Sequence, residues 1–349
     1  MAGLDPFSGA APVAQPATHP AVAPRRVGVL IVNLGTPTAP TKAAVRTYLR
    51  EFLSDRRVIE IPPALWQPIL HGIILNVRPG RSARAYREIW MEDGSPLAVH
   101  TRAIAAGLDG HWGEGVIVDW AMRYGVPAIG ERIAALKEAG CDRILIAPLY
   151  PQYCGATTAS VMDAVGAALA GMRWQPAIRM LPPYHDDPAY IAALAQSVRD
   201  HVDSLRFTPE RIVASFHGMP ERTLHLGDPY HCQCRKTARL LGEALGRPIY
   251  VSFQSRFGRA KWLDPSTDSV LRALPAAGIK DIAVVTPGFA TDCLETLEEI
   301  ALRGMDAFLS AGGRNYAYLP CLNAGPAAIS LYESILSREL AGWVEDAGG

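Results

Sequence analysis

Short apolar runs recur along the chain and alternate with amphipathic helical stretches, and this rhythm constrains the fold more than any other feature. The first run, Val27-Gly28-Val29-Leu30-Ile31-Val32-Asn33, is apolar at odd and even positions alike. Strands read this way when a parallel sheet is covered on both faces, because neither set of alternating side chains meets water. Further strands of this kind are expected at 115–120, 143–148, 177–180, 211–216, 248–252, 281–286 and 316–319. Helical patterns separate them at 127–139, 158–170, 188–204, 232–245, 266–277 and 292–303, and Thr41 is placed to cap a helix that turns Val45, Tyr48, Leu49 and Phe52 to one face. The alternation predicts a doubly wound α/β architecture with parallel sheets. A length of 349 residues suits two domains at roughly 100–200 residues each. They are expected at 25–170 and 171–349, the second ending in a helix, after a leader over 1–24.

Several function classes drop out on composition. Lys plus Arg and Asp plus Glu both number 34, so the chain lacks the basic excess that a dedicated nucleic-acid binder needs, and no nucleic-acid partner is expected. The longest apolar stretch, 64–77, is interrupted by Gln67, Pro68, His71, Gly72 and Asn76, too broken for a membrane span of about 20 residues. Residues 1–24, rich in Ala and Pro, lack the basic start and solid apolar core of a secretory signal. Six cysteines in so long a chain point to a reducing, cytoplasmic compartment rather than a disulfide scaffold. The turn after the first strand has no G-x-G-x-x-G, and no Walker A run occurs anywhere, so the α/β pattern carries no nucleotide signature.

In open α/β sheets ligands sit beyond the carboxyl ends of the strands, which makes the residues following each strand the candidate site. His217 follows 211–216 and precedes Gly218-Met219-Pro220. A histidine held there can serve as base or ligand, or can simply bond a nearby carbonyl. After 281–286, Asp292, Glu295 and Glu299 stand at i, i+3 and i+7, which on an α-helix is one acidic face. Such a face is either solvated, with Asp292 as a cap, or turned into a cleft where it can accept protons or hold a metal ion. Arg123-Tyr124 and Tyr150 follow two other strands. Cys232-Gln233-Cys234 is spaced too tightly for a zinc knuckle and reads as ordinary thiols.

The segment 61–86 breaks the alternation. After Pro62-Pro63, the residues Leu65, Trp66, Ile69, Leu70, Ile73, Ile74 and Val77 recur at helical spacing, and Arg78, Arg81 and Arg84 trail them. This is either a core helix with a basic end or an interfacial helix that lies on a membrane surface.

Taken together, VLIVNLGTP at 29–37, YLREFLSDRRV at 48–58, PLYPQYCGATT at 148–158, SFHGMP at 215–220, GDPY at 227–230, QSRFG at 254–258 with Trp262, and PGFATDCLETLEEI at 287–300 resemble the ferrochelatases. Ordered motifs at consistent separations are far more specific than any one of them. The resemblance covers about 27–340. It implies two Rossmann-like halves of the chelatase type without bound nucleotide, and insertion of Fe²⁺ into protoporphyrin IX with release of two protons. His217 matches the family histidine assigned to metal binding or pyrrole deprotonation, and Glu295 the carboxylate facing it. Asp292 and Glu299 match an acidic line that carries protons or metal. Leu34, Tyr86, Arg123, Tyr124, Tyr150, Ser255, Trp262 and Phe289 match positions around the macrocycle. Ser95, with an arginine among Arg78, Arg81 and Arg84, matches the propionate anchors, and 61–86 matches a lip over the pocket. No organic cofactor is implied.

Two departures from the family pattern bear on metals. Some relatives hold a [2Fe–2S] cluster through cysteines near the carboxyl terminus, whereas 322–349 contains none here, so no cluster is expected. Position 293, histidine in some relatives, is Cys293. Alternative readings are a chelatase for coproporphyrin or a cobalt-corrin precursor, and a non-catalytic haem or metal carrier. The sequence carries no signal for oligomeric state.

Overall fold

The structure is a computed structural model that describes residues 25–258 and 260–344. The leader expected over 1–24 lies outside the described residues. The first half opens with β1 (Arg26–Gly35), in which Val29, Leu30, Ile31 and Val32 are wholly buried, as the unbroken apolar run predicts. Next come α1 (Lys42–Phe52), α2 (Pro63–Ile69), α3 (Leu75–Ile89) and α4 (Pro96–Leu108). Then β2 (Val116–Tyr124), α5 (Ile129–Glu138), β3 (Cys141–Pro148), α6 (Ser160–Ala170) and β4 (Ala177–Met180) complete a parallel sheet of order β2-β1-β3-β4. The helix α7 (Pro188–Ser204), capped by Asp187, leads to the second half.

That half consists of β5 (Arg211–His217), α8 (Glu221–His225), α9 (Tyr230–Leu245), β6 (Ile249–Gln254), α10 (Thr267–Ala273), β7 (Asp281–Val285), α11 (Met305–Ser310), β8 (Asn315–Tyr318) and α12 (Pro326–Leu340). Its parallel sheet runs β6-β5-β7-β8. The two sheets therefore repeat one strand order, and each carries a switch point beside its first strand, where the connections on either side diverge to opposite faces.

The structure moves the expected boundary at 171. Because β4 pairs with β3 in parallel register, Ile144 opposite Ile178, the first sheet's chain continues to Met180. One cluster of buried residues runs from Val29 and Ile31 through Leu194 and Leu331 to Ala214 and Phe216, so the two halves share a core instead of closing separately.

Of three π-helical stretches among the described residues, Gly155–Ala159 leads into α6, and the other two depart near the site from the α geometry that their spacing predicts. Within 61–86, α2 and α3 are joined by a π-helical turn, Leu70–Ile74. Its i→i+5 bonding brings Leu70 and Leu75, five apart, onto the buried side, at 0% and 1% exposure. Ile61, Leu65, Ile69, Ile73 and Val77, each four apart, remain exposed. The segment thus buries one side in core and shows an apolar line to solvent. Trp66 belongs to the inner side, where its indole N–H donates to the Leu53 carbonyl at 2.6 Å. The second departure is the π-helix Glu295–Gly304 after β7.

Candidate functional site

His217 is the last residue of β5, where its strand leaves the sheet beside Gln254 at the end of β6. Its Nδ1 lies 2.7 Å from the Gly218 carbonyl. A carbonyl can only accept, so Nδ1 carries the proton, and the lone pair of the neutral ring sits on Nε2. The Tyr230 hydroxyl donates to the His217 carbonyl at 3.0 Å, and the Gly218 N–H donates to the Gln254 carbonyl at 2.8 Å. Position 218 must be glycine because a Cβ there would stand 2.4 Å from that same Gln254 oxygen. The Phe289 ring lies 6.5 Å from the imidazole, centre to centre. Trp262 is buried behind the turn, its N–H on the Phe257 carbonyl at 3.0 Å.

The three acidic residues do not form the expected row. Asp292 precedes the π-helix and is buried, and its carboxylate accepts from Asn323 Nδ2 at 2.7 Å, Thr296 Oγ1 at 3.0 Å and the Tyr318 hydroxyl. With its oxygens so occupied, it ties the start of the helix to the loop after β8 and turns away from the cleft. Glu299 is gripped by Ser255, whose N–H and Oγ reach it at 2.8 and 2.5 Å. Ser255 adopts φ +61° to aim both donors at one carboxylate, a conformation rare for a residue with a Cβ and found where the surroundings enforce it. Glu295 alone of the three lines the cleft.

That cleft is narrow, with about 10 Å³ of free space, and opens between the end of β1 and the start of the π-helix, lined by Leu34, Gly35, Thr36, Tyr48, Tyr86, Ser95, Cys293 and Glu295. Thr36 Oγ1 is buried there without a partner. Burial pushes the phenols of Tyr48 and Tyr86 well above their usual range, and the negative charge of Glu295 adds to the effect, so both remain protonated donors beside that carboxylate. Burial likewise raises the Cys293 thiol, with Glu295 contributing. Sequence reasoning assigned Tyr48 to the apolar face of α1. Its placement one turn before Phe52, whose ring stacks on it at 5.9 Å, gave no sign that it would reach the cleft.

Arg123 and Tyr124, expected at the cleft, lie elsewhere. The Arg123 guanidinium donates to Asp55 at 2.7 Å and to Ser160 Oγ at 2.7 Å, and sits 4.4 Å over the Tyr124 ring. Tyr124 is wholly buried, its hydroxyl on Asp55 at 2.7 Å. Both side chains therefore brace the layer behind the cleft rather than line it. Tyr150 is half-buried, with its hydroxyl enclosed and unpartnered. Ser95 lines the cleft and also caps α4, accepting from the Ala98 N–H at 3.3 Å. Arg78 lies 5.9 Å over the Phe257 ring, while Arg81 and Arg84 are exposed along α3. Among the described residues no group of three or more His, Cys, Asp or Glu is gathered to hold a metal ion. Glu295 lines the cleft, whereas His217 stands at the end of β5 outside that lining, and the two are linked through Gln254.

The ferrochelatase family model matches residues 26–340. A ferrochelatase of Rhizobium meliloti (strain 1021) is 53% identical over 333 residues, covering 93% of this chain and 98% of that protein. One of Azoarcus sp. (strain BH72) is 53% identical over 324 residues, covering 91% and 89%. Among solved structures, SirB from Bacillus subtilis with Fe³⁺ superposes with a TM-score of 0.56 at 14% identity, over 90% of this chain and 96% of that one. CbiX, described as the terminal enzyme of sirohaem biosynthesis in denitrifying bacteria, gives 0.52 at 17% identity, over 90% and 100%. These two structures share the fold.

Proposed function

The chain belongs to the ferrochelatase family, and from that premise we propose how its residues perform the reaction, the insertion of Fe²⁺ into protoporphyrin IX with loss of two protons. The observation that carries the proposal is the tautomer of His217. With Nδ1 committed to the Gly218 carbonyl, Nε2 is free to take a pyrrole proton. Glu295, in the cleft beside the phenols of Tyr48 and Tyr86, receives the second proton or meets the incoming metal. Iron here is a substrate: it replaces two N–H protons, and the macrocycle's nitrogens become its ligands. A positioned base is typically worth about 10²–10⁴-fold in such a step. Leu34, Tyr86 and Ser95 supply cleft wall and polar contacts to the macrocycle edge. With only about 10 Å³ of free space, the cleft is far smaller than small-molecule pockets, so in this reading its walls part, Tyr86 of the lip among them, as the porphyrin seats.

No iron–sulfur cluster takes part in this reading. The stretch 322–349 contains no cysteine. The lip's exposed line of Leu65, Ile69, Ile73 and Val77 rests on the surface of a bilayer, the source of an apolar substrate. No helix among the described residues is long and apolar enough to cross a membrane, and the proposed setting is peripheral, on the cytoplasmic face.

The test is anaerobic incubation of the purified chain with Fe²⁺ and protoporphyrin IX, following loss of free-porphyrin fluorescence. Catalytic loss of fluorescence is expected. Stoichiometric quenching without turnover would reveal a carrier, and turnover only with a porphyrin bearing more carboxylates would assign a different substrate.

A further inference from the structure

Gln254 touches both sides of the reaction centre. Its backbone carbonyl accepts the Gly218 N–H at 2.8 Å, fixing the turn that carries His217. Its side-chain amide donates to the Glu295 carbonyl at 2.8 Å, fixing the first residue of the π-helix. The amide cannot flip, because the Glu295 carbonyl can only accept and must face the NH₂ group, which leaves the amide oxygen to accept the Ser215 hydroxyl at 2.7 Å. Ser215 in turn lies 2.8 Å from Thr267 Oγ1, which lies 2.9 Å from Ser252 Oγ. All of these side chains are buried, at 0% exposure for Ser215 and Ser252 and 3% for Gln254 and Thr267. A polar chain of this length within a core is costly unless every member is satisfied. Here each is satisfied, and the chain ends on the backbone of the cleft carboxylate.

We propose that Gln254 is a positioning residue that sets the separation of His217 and Glu295, and that Ser215 and Thr267 lock its amide in the required orientation. The proposal rests on the ferrochelatase reading. An amide bond to the carbonyl of Glu295 restrains its Cα, and with it the carboxylate. Groups acting together on one macrocycle need placement within about 0.5 Å, and a shift of about 1 Å costs on the order of 10²-fold.

The experiment uses Gln254→Met, which keeps length and bulk and removes both polar contacts, in wild-type and Glu295→Gln backgrounds. Zinc or iron insertion into protoporphyrin is measured beside porphyrin binding by fluorescence quenching. The expected result in the wild-type background is a kcat lower by about 30- to 100-fold with KM within about twofold. In the Glu295→Gln background the same change should cost less than about threefold, since nothing remains to be positioned. Equal losses in both backgrounds would mark a structural role and overturn the proposal, as would a Gln254→Met kcat within about threefold of the parent. If Gln254→Met does not fold, Ser215→Ala, which frees the amide to rotate, should give a smaller loss confined to kcat, and an unchanged kcat overturns the proposal. Absence of turnover by the parent chain would instead overturn the ferrochelatase reading.

Discussion

Asp55 accepts hydrogen bonds from Arg123, Tyr124 and Ser160 at 2.7, 2.7 and 2.5 Å, and replacing it with alanine tests where Arg123 and Tyr124 do their work. The ion pair is well enclosed, its side chains 17% and 11% exposed for Arg123 and Asp55. Removing one partner of such a pair leaves the other charge buried and costs about 3–5 kcal/mol. The two hydroxyls add little to this, because Tyr124 and Ser160 stay 3.0 Å apart and can satisfy each other. At roughly 2–4 °C per kcal/mol for a domain of about 150–250 residues, the melting temperature should fall by roughly 6–20 °C. Below that temperature KM for protoporphyrin should stay within about twofold, since the network lies behind the cleft. Thermal unfolding by circular dichroism and steady-state metallation measure the two quantities. An unchanged melting temperature with a KM raised tenfold would refute the reasoning and return Arg123 and Tyr124 to the macrocycle. The pair also has a pH signature. Burial alone would raise the Asp55 carboxyl, but hydrogen bonds from Ser160, the Arg57 N–H and Tyr124, with the charge of Arg123, outweigh it and hold its pKa below the usual value. The unfolded chain therefore takes up the proton first as pH falls. This stabilisation is complete above the unfolded pKa of about 3.9 and is lost as the pH falls through the lower folded value. Asp55→Asn should flatten that acid limb of the stability curve.

His217→Ala and Glu295→Gln should each lower metallation about 10²- to 10⁴-fold with melting curves near the parent's, and near-normal turnover by either would dismiss the proposed proton acceptors. Gly218→Ala drives a Cβ to 2.4 Å from the Gln254 carbonyl, so it should lower both stability and kcat, whereas a parent-like enzyme would show that the turn has room to relax. Leu65→Ser with Ile73→Ser and Val77→Ser, all exposed, should weaken liposome binding in a flotation assay without lowering the melting temperature. Leu70→Ala, wholly buried on the opposite side, should instead cost about 2–5 kcal/mol. Liposome binding unaffected by the triple change would remove the lip from the membrane.

What the sequence by itself determined is the architecture and the first half of the site. A strand covered on both faces has to be apolar at nearly every position, so central strands such as β1 and β7 were legible as unbroken runs, and the edge strand β4 was bounded residue for residue despite its Arg179. Local capping chemistry is equally legible, and Thr41 begins α1 by accepting the Ala44 N–H. His217 could be found because a strand's end is also a sequence boundary. Tertiary structure alone decided the rest. The helical period read from apolar spacing cannot separate i→i+4 from i→i+5 bonding over one or two turns. The acidic face of Asp292, Glu295 and Glu299 was therefore drawn on the wrong helix, and Leu70 and Leu75 were not seen as partners. Which strand-end side chains meet the cleft depends on partners far along the chain, and Asp55, 68 and 69 residues away, takes both Arg123 and Tyr124. Gln254 shows the limit most clearly. Nothing in its neighbours along the chain distinguishes its amide, which gains a role only because β5, β6 and the π-helix, up to 78 residues apart from His217 to Glu295, converge on it.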